Sequence, residues 1–168
     1  MYCKDINLLF IHITKTSGTS VKKALRSKYQ VEDIAGINKH HKTALLYSKE
    51  LDINKIDTVT IVRNPYDRYK SYLNFTNNKD WFNNNNFHFL RPQYEYIYSK
   101  DGCLVNDILK FEDRDQINNY FKKYDLVIEH HNATDNIVYE DLTEEQIAFC
   151  NKMYKKDFEL FNYERIEL

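Results

Sequence analysis

The chain has 168 residues, of which 42% are hydrophobic and 15% aromatic, so it is long and apolar enough for one domain with a packed core. Its net charge of −1 argues against a general nucleic-acid binder, and three scattered cysteines indicate neither a disulfide framework nor a zinc site. No signal peptide is visible, and no apolar run approaches a membrane span. We therefore expect a single domain over residues 1–168 that is cytoplasmic and has no metal, nucleic-acid or membrane partner.

The first half of the chain alternates strand and helix patterns. Residues 8–13 form a continuous apolar run, which is typical of a strand buried on both faces of a parallel sheet. The pattern then predicts helices over 18–29 and 42–51, a strand over 57–63, and a helix that begins at Pro65 with Asn64 as its cap.

The second half has weaker patterns. Residues 77–90 show no period and predict a loop, and Pro92 is expected to begin another helix. A helix over 113–124, a strand over 125–130 and a helix from a Thr143–Gln146 capping box to about residue 156 complete the prediction. This alternation predicts an α/β, three-layer, P-loop-like fold with a central parallel sheet flanked by helices.

The stretch "KTSGTS" follows the first predicted strand and leads into the first predicted helix. Backbone N–H groups and the helix dipole favour an anion at such a turn, Lys15 adds a charge, and Gly18 allows close approach. The lysine precedes the glycine, so the Walker A pattern is absent. From these residues alone, a phosphate site and an ordinary helix cap with a surface lysine remain equally open.

A second stretch, "TIVRNPYDRYKSY", also places a strand before a capped helix. Arg63 lies where that strand is expected to end, at the edge where open α/β sheets bind ligands. Its guanidinium suits a phosphate, and Ser71 follows two helical turns later. Asp67 and Arg68 are interpreted as surface charges.

Together the two stretches resemble motifs of PAPS-dependent sulfotransferases, in particular the carbohydrate sulfotransferases. "FIHITKTSGTS" is similar to their "FIHIPKTGGTS", and "IVRNPYDRYKSY" to their "VRNPYDRxxSxY". Weaker resemblance continues through "LRPQYEYI", "KFED", "HHNAT" and "YKKDFELFNYE". Thr14 and Ser17 depart from the proline and glycine of the first motif, which is expected to alter the stiffness of the loop without removing the site.

The resemblance implies 3′-phosphoadenosine 5′-phosphosulfate (PAPS) as sulfuryl donor, with a hydroxyl of a carbohydrate as acceptor and no metal. Lys15 would act in catalysis near the bridging oxygen, where negative charge develops during transfer. Arg63 and Ser71 would hold the 3′-phosphate of PAPS or of its product PAP. The 5′-phosphosulfate would contact the loop residues Lys15, Thr16, Ser17, Gly18, Thr19 and Ser20.

A histidine is the usual general base for an acceptor hydroxyl. Related small sulfotransferases often show "HxTA" between the two motifs, which corresponds to His41 here and implies that His41 is the base, with His40 as the close alternative. A solvated histidine pair at a helix start remains the other interpretation. His12 is expected to be a core residue of the first strand, and His130 and His131 receive no role.

The acceptor site is less readable from the sequence. The stretch over 77–90 contains Trp81, Phe82, Phe87 and Phe89 among asparagines, which suits sugar rings or simply anchors a long loop. Two other functions remain as alternatives. One is a non-catalytic nucleotide- or glycan-binding protein of sulfotransferase-like fold, and the less favoured one is a P-loop kinase, for which the Walker motifs are absent.

Overall fold

The computed structural model describes residues 1–32, 41–76, 87–129 and 141–168. The strands in these residues are β1 (Tyr2–Cys3), β2 (Leu8–Ile11), β3 (Asp57–Val62), β4 (Tyr98–Ser99), β5 (Gly102–Cys103) and β6 (Asp107–Lys110). The helices are α1 (Gly18–Lys28), α2 (Ala44–Tyr47), α3 (Pro65–Thr76), α4 (Phe87–Leu90), α5 (Tyr94–Ile97), α6 (Arg114–Lys122), α7 (Glu144–Met153) and α8 (Lys155–Phe161). Single 3₁₀ turns lie at Lys4–Ile6 and Ile53–Lys55.

The central sheet is mixed and has the strand order β1-β2-β3-β6. Strands β2, β3 and β6 are parallel, whereas β1 pairs with β2 in the antiparallel direction at one edge. The register places Ile11 opposite Thr60, and Val62 opposite Lys110. The carboxyl ends of the three parallel strands therefore meet at one edge of the sheet, where ligands bind in open α/β folds.

Helices cover both faces of the sheet. On one face, Phe10 of β2 packs with Leu25 of α1 and Phe121 of α6. On the other face, Ile11 of β2 packs with residues of α2, α5 and α8. All four residues of β2 are fully buried, which explains why this strand is a continuous apolar run.

A third apolar cluster joins α3, α7 and α8 through aromatic side chains. Arg68 of α3, which was interpreted as a surface charge, is instead only 2% exposed. Its guanidinium donates to the Thr14 carbonyl and hydroxyl oxygens at 3.0 Å each, and to the carbonyl oxygens of Phe89 and Arg91 at 2.9 Å each. A buried arginine needs such acceptors, so Arg68 fixes the turn after β2 to α3 and to the segment after α4.

Several predicted elements are confirmed. Helix α1, strand β3 and helix α6 match within a residue or two at each end. Asn64 accepts a hydrogen bond from the Tyr66 amide at 2.9 Å, and Pro65 is the first residue of α3. The capping box of Thr143 and Gln146 is present at the start of α7.

Other predictions were wrong in extent or type. The helix expected over 42–51 is reduced to α2, and the helix expected to continue to residue 156 is interrupted at Tyr154, where α8 follows. The sheet is mixed rather than wholly parallel. Residues 125–129 form no strand, and the last four residues of the predicted 77–90 loop form α4.

Among the described residues, no strand pairs with 125–129, although Leu126 and Ile128 are buried, and the Ile128 amide donates to the Asn118 side chain instead. Residues 77–86 and His130 lie outside the described residues. Among the residues that the structure describes, no helix is both long enough and apolar enough to cross a membrane.

Candidate functional site

A cavity of about 320 Å³ lies at the carboxyl ends of the parallel strands. Each of these strands is followed directly by a residue that lines it: His12 after β2, Arg63 after β3 and Phe111 after β6. The other lining residues come from the turn before α1, from α1 and α3, and from the segments near α2 and α4: Thr14, Lys15, Ser17, Gly18, Thr19, Ser20, His41, Ser71, Phe75 and Phe89.

The turn between β2 and α1 has an unusual backbone. Lys15 and Ser17 have φ angles of 64° and 72°, in the left-handed region that favours glycine. Ser17, which stands where the resembled motif has glycine, is the N-cap residue of α1, and its buried hydroxyl has no hydrogen-bond partner among the described residues. A strained turn with an unused donor is typical of a ligand-binding loop.

Thr16 differs from its neighbours in this turn. It was expected to contact the ligand, but it is fully buried, and its hydroxyl donates to the Ile13 carbonyl oxygen at 2.9 Å. The side chain of Thr16 therefore stabilises the turn instead of lining the cavity.

Gly18 makes room for the imidazole of His12. A Cβ atom at Gly18 would lie 1.8 Å from His12 Cδ2 and 1.9 Å from His12 Nε2, which is a direct overlap. The φ of Gly18 is not positive, so the backbone conformation does not require glycine. The close packing against the His12 ring does. His12, expected in the core, is half-buried and lines the cavity because β2 ends one residue before it.

Lys15 lies in an apolar and electropositive environment. Its ammonium nitrogen is 4.3 Å from the centroid of the Phe75 ring. Burial, and secondarily the positive charge of Arg63, lower the pKa of Lys15 to about 8. An anion bound between Lys15 and Arg63 would offset this repulsion, so the site is electrostatically suited to a negatively charged ligand.

Both polar groups of the Arg63 backbone form hydrogen bonds with the Gln93 side chain. The Arg63 N–H donates to Gln93 Oε1 at 2.9 Å, and the Arg63 carbonyl oxygen accepts from Gln93 Nε2 at 2.8 Å. The guanidinium carbon lies 4.2 Å from the centroid of the Phe111 ring, and Nη1 contacts the Lys15 carbonyl oxygen at 3.5 Å. Arg63 Nε is buried and has no hydrogen-bond partner among the described residues.

His41 precedes α2 and lies close to His12. The two ring centroids are 4.6 Å apart, and His41 Nδ1 is 3.3 Å from the His12 carbonyl oxygen. A carbonyl oxygen only accepts, so Nδ1–H of His41 donates and the other ring nitrogen, Nε2, carries the lone pair when the imidazole is neutral. His41 also lines the cavity.

The cavity brings together most of the residues expected from the sequence. They are Lys15, Ser17, Gly18, Thr19, Ser20, His41, Arg63 and Ser71. His40, His130 and His131 lie outside the described residues, as do Trp81 and Phe82. Phe89 does line the cavity, together with Phe75, which carried no sequence signal beyond being aromatic, and Phe111, which belongs to the segment "KFED".

The sequence did not predict a role for the residues that hold the backbone between β3 and α3. Gln93 and Glu112 belong to the weaker segments "LRPQYEYI" and "KFED", and both bind backbone at the start of α3. Glu112 accepts from the Asn64 amide at 2.7 Å and from the Tyr163 hydroxyl at 2.8 Å. The only indication in the sequence was that both residues lie in segments that resemble the family. That resemblance did not indicate what either residue does.

The described residues contain no group of three or more His, Cys, Asp and Glu side chains that could hold a metal ion. Comparisons of the chain with protein-family models, with curated proteins and with solved structures found no match.

The contact between Gly18 and His12 gives a test of the site's packing. Gly18→Ala should lower the free energy of unfolding by about 1–3 kcal/mol, the range for an overpacked interior. In a His12→Ala background the same change should no longer destabilise, because the overlapping ring is gone and the backbone of Gly18 accepts alanine. Urea unfolding of the intact chain, the two single variants and the double variant measures this, and equal costs in both backgrounds would contradict the packing role of Gly18.

Proposed function

We propose that this chain is a PAPS-dependent sulfotransferase that transfers a sulfuryl group to a hydroxyl of a carbohydrate acceptor, and that its α/β fold is of the three-layer, P-loop-like type. The observation that carries the proposal is that Lys15 and Arg63, from the two stretches that resemble the family's motifs, line one cavity at adjacent strand ends. The described lining residues include no carboxylate to neutralise these cations.

The cavity's donors suit the two charged ends of PAPS. The turn at the start of α1, with Lys15, the Ser17 hydroxyl and the first N–H groups of the helix, would hold the 5′-phosphosulfate. Arg63 and Ser71 would hold the 3′-phosphate, the group that distinguishes PAPS from ATP. A guanidinium with an unused Nε suits a phosphate because it offers a fork of donors.

The transfer itself needs a base and a stabilised leaving group. The acceptor oxygen forms a bond to sulfur while the bond from sulfur to the bridging oxygen breaks, and its electron pair stays on that oxygen as PAP leaves. The hydroxyl proton passes to His41 Nε2. Lys15 stabilises the charge that grows on the bridging oxygen, and positioning supplies much of the remaining acceleration.

A non-catalytic binding protein would use the same donor cavity but would not need a prepared base. The hydrogen bond from His41 Nδ1 to the His12 carbonyl oxygen places the lone pair of the neutral ring on Nε2, and His41 lines the cavity, which favours the enzyme. Incubation of the chain with PAPS that carries a radiolabelled sulfuryl group, and with a panel of unsulfated oligosaccharides, tests whether the chain is an enzyme or a binding protein. Labelled product supports the enzyme, whereas PAP binding without transfer to any of them supports the binding protein.

The 3′-phosphate assignment predicts a preference for PAP over AMP, which differ only in that group. Arg63→Ala should weaken PAP binding by about 1.5–3 kcal/mol, the range for hydrogen bonds to charged groups, and should change AMP binding little. Isothermal titration calorimetry measures both ligands. Equal affinity of the intact chain for PAP and AMP would contradict the assignment.

The lowered pKa of Lys15 predicts a pH dependence of PAP binding. Lys15 is charged below its pKa of about 8 and loses its proton above it, so PAP affinity should fall as pH rises through about 8. Because bound PAP favours the charged form, binding near that pH should take up protons, which calorimetry in two buffers of different ionisation enthalpy detects.

Lys15→Arg serves as the matched control for this dependence, because an arginine keeps its charge throughout the range. Its PAP affinity should be flat from about pH 7 to about pH 9.5. The same fall in affinity in Lys15→Arg and in the intact chain would show that another group titrates.

The role of His41 predicts a separation of binding from turnover. His41→Ala should leave PAP affinity nearly unchanged and reduce sulfuryl transfer by roughly 10²–10⁴-fold, the usual scale for general acid–base catalysis. The rate of the intact chain should rise with pH over the range in which imidazoles titrate, because only the neutral ring accepts a proton. Full activity in His41→Ala with loss in His40→Ala would move the role to His40.

A further inference from the structure

Gln93 is fully buried next to the candidate site although it does not line the cavity. Its side-chain amide pairs with both polar groups of the Arg63 backbone, accepting at 2.9 Å and donating at 2.8 Å. This is the pairing that a neighbouring strand would provide, and it occurs directly after β3 ends. A glutamine amide therefore continues the hydrogen bonding of the strand by one residue.

Asp157 of α8 holds Gln93 in turn. Its two carboxylate oxygens accept from the backbone amides of Gln93 and Tyr94 at 2.8 Å each, and the side chain is fully buried. Because both oxygens are engaged at the start of α5, the carboxylate fixes the direction of the chain there. Asp157, Gln93 and the Arg63 backbone thus form a continuous chain of hydrogen bonds from α8 to the end of β3.

The side chain of Arg63 has few other constraints. It makes one long contact to the Lys15 carbonyl oxygen and packs against the Phe111 ring, while Nε lacks a hydrogen-bond partner among the described residues. The direction of its guanidinium therefore depends on the backbone from which it projects. A shift of about 1 Å in a binding group is enough to weaken its action strongly.

We propose that Gln93 and Asp157 are positioning residues that aim the Arg63 guanidinium at the 3′-phosphate of PAPS or PAP, and so set the selectivity of the site for a 3′-phosphorylated nucleotide. The inference rests on the proposed function. A purely structural role in the packing of α5 and α8 would instead lower stability without changing the preference between ligands.

The test measures the ratio of PAP to AMP affinity by calorimetry in the full chain. Gln93→Leu, which replaces glutamine with a slightly shorter apolar side chain and removes both polar groups of the amide, should lower that ratio by about tenfold, the scale on which residues that orient metal ligands act. AMP affinity should stay within about twofold of the intact value, since AMP has no 3′-phosphate. Adding Gln93→Leu to Arg63→Ala should not lower the ratio further, because Gln93 acts through Arg63.

Asn106→Ala is the matched control. The Asn106 amide oxygen accepts from the Thr58 N–H at 2.9 Å and from its hydroxyl at 2.7 Å, so it supports β3 near its other end. This variant should lose stability and keep the ratio. If Gln93→Leu does not fold, Gln93→Met replaces it, because methionine matches the length of glutamine and also lacks both amide groups; its ratio should fall by a similar factor.

The outcomes separate the inference from the proposed function. An intact chain that binds PAP and AMP equally overturns the proposed function. An intact chain that prefers PAP, together with an unchanged ratio in the Gln93 variants, overturns the inference alone. Equal weakening of both ligands, or a further fall in the ratio when both changes are combined, also overturns it.

Discussion

The structure depends on a buried guanidinium that joins the turn after β2, helix α3 and the region of α4 next to the candidate site. Arg68 of α3 binds both oxygens of Thr14 in the turn after β2, and it binds the carbonyl oxygens of Phe89 in α4 and Arg91 just after it. Burial of this charge is costly, so these acceptors are needed. Thr14, which stands where the resembled motif has proline, contributes a hydroxyl that proline could not.

The cavity next to these hydrogen bonds is lined by two cationic side chains, Lys15 and Arg63. Burial and, secondarily, the positive charge of Arg63 lower the pKa of Lys15, and the turn that carries Lys15 has two residues in the left-handed region. Such strain persists only where surrounding contacts impose it. Here they include the packing of Gly18 against His12 and the hydrogen bonds of Arg68 to Thr14. A bound dianion would relieve part of this cost.

Much of the site could be predicted from the sequence because it follows strand ends. Helix caps, apolar runs and the positions of Lys15, Arg63 and Ser71 depend on local pattern. The buried state of Arg68 and the support from Gln93 and Asp157 depend on contacts between residues far apart in the chain. His12 was misassigned because β2 ends at Ile11, a boundary that the apolar run to residue 13 concealed.

If the proposed function is correct, one cavity holds both phosphates of a 3′,5′-bisphosphorylated nucleoside. A crystal structure of the chain soaked with PAP tests it directly. We expect the 5′-phosphate to lie at the turn from Lys15 to Ser20, and the 3′-phosphate to lie within hydrogen-bonding distance of Arg63 and Ser71. PAP bound with its 3′-phosphate away from Arg63, or bound outside the cavity, would contradict it.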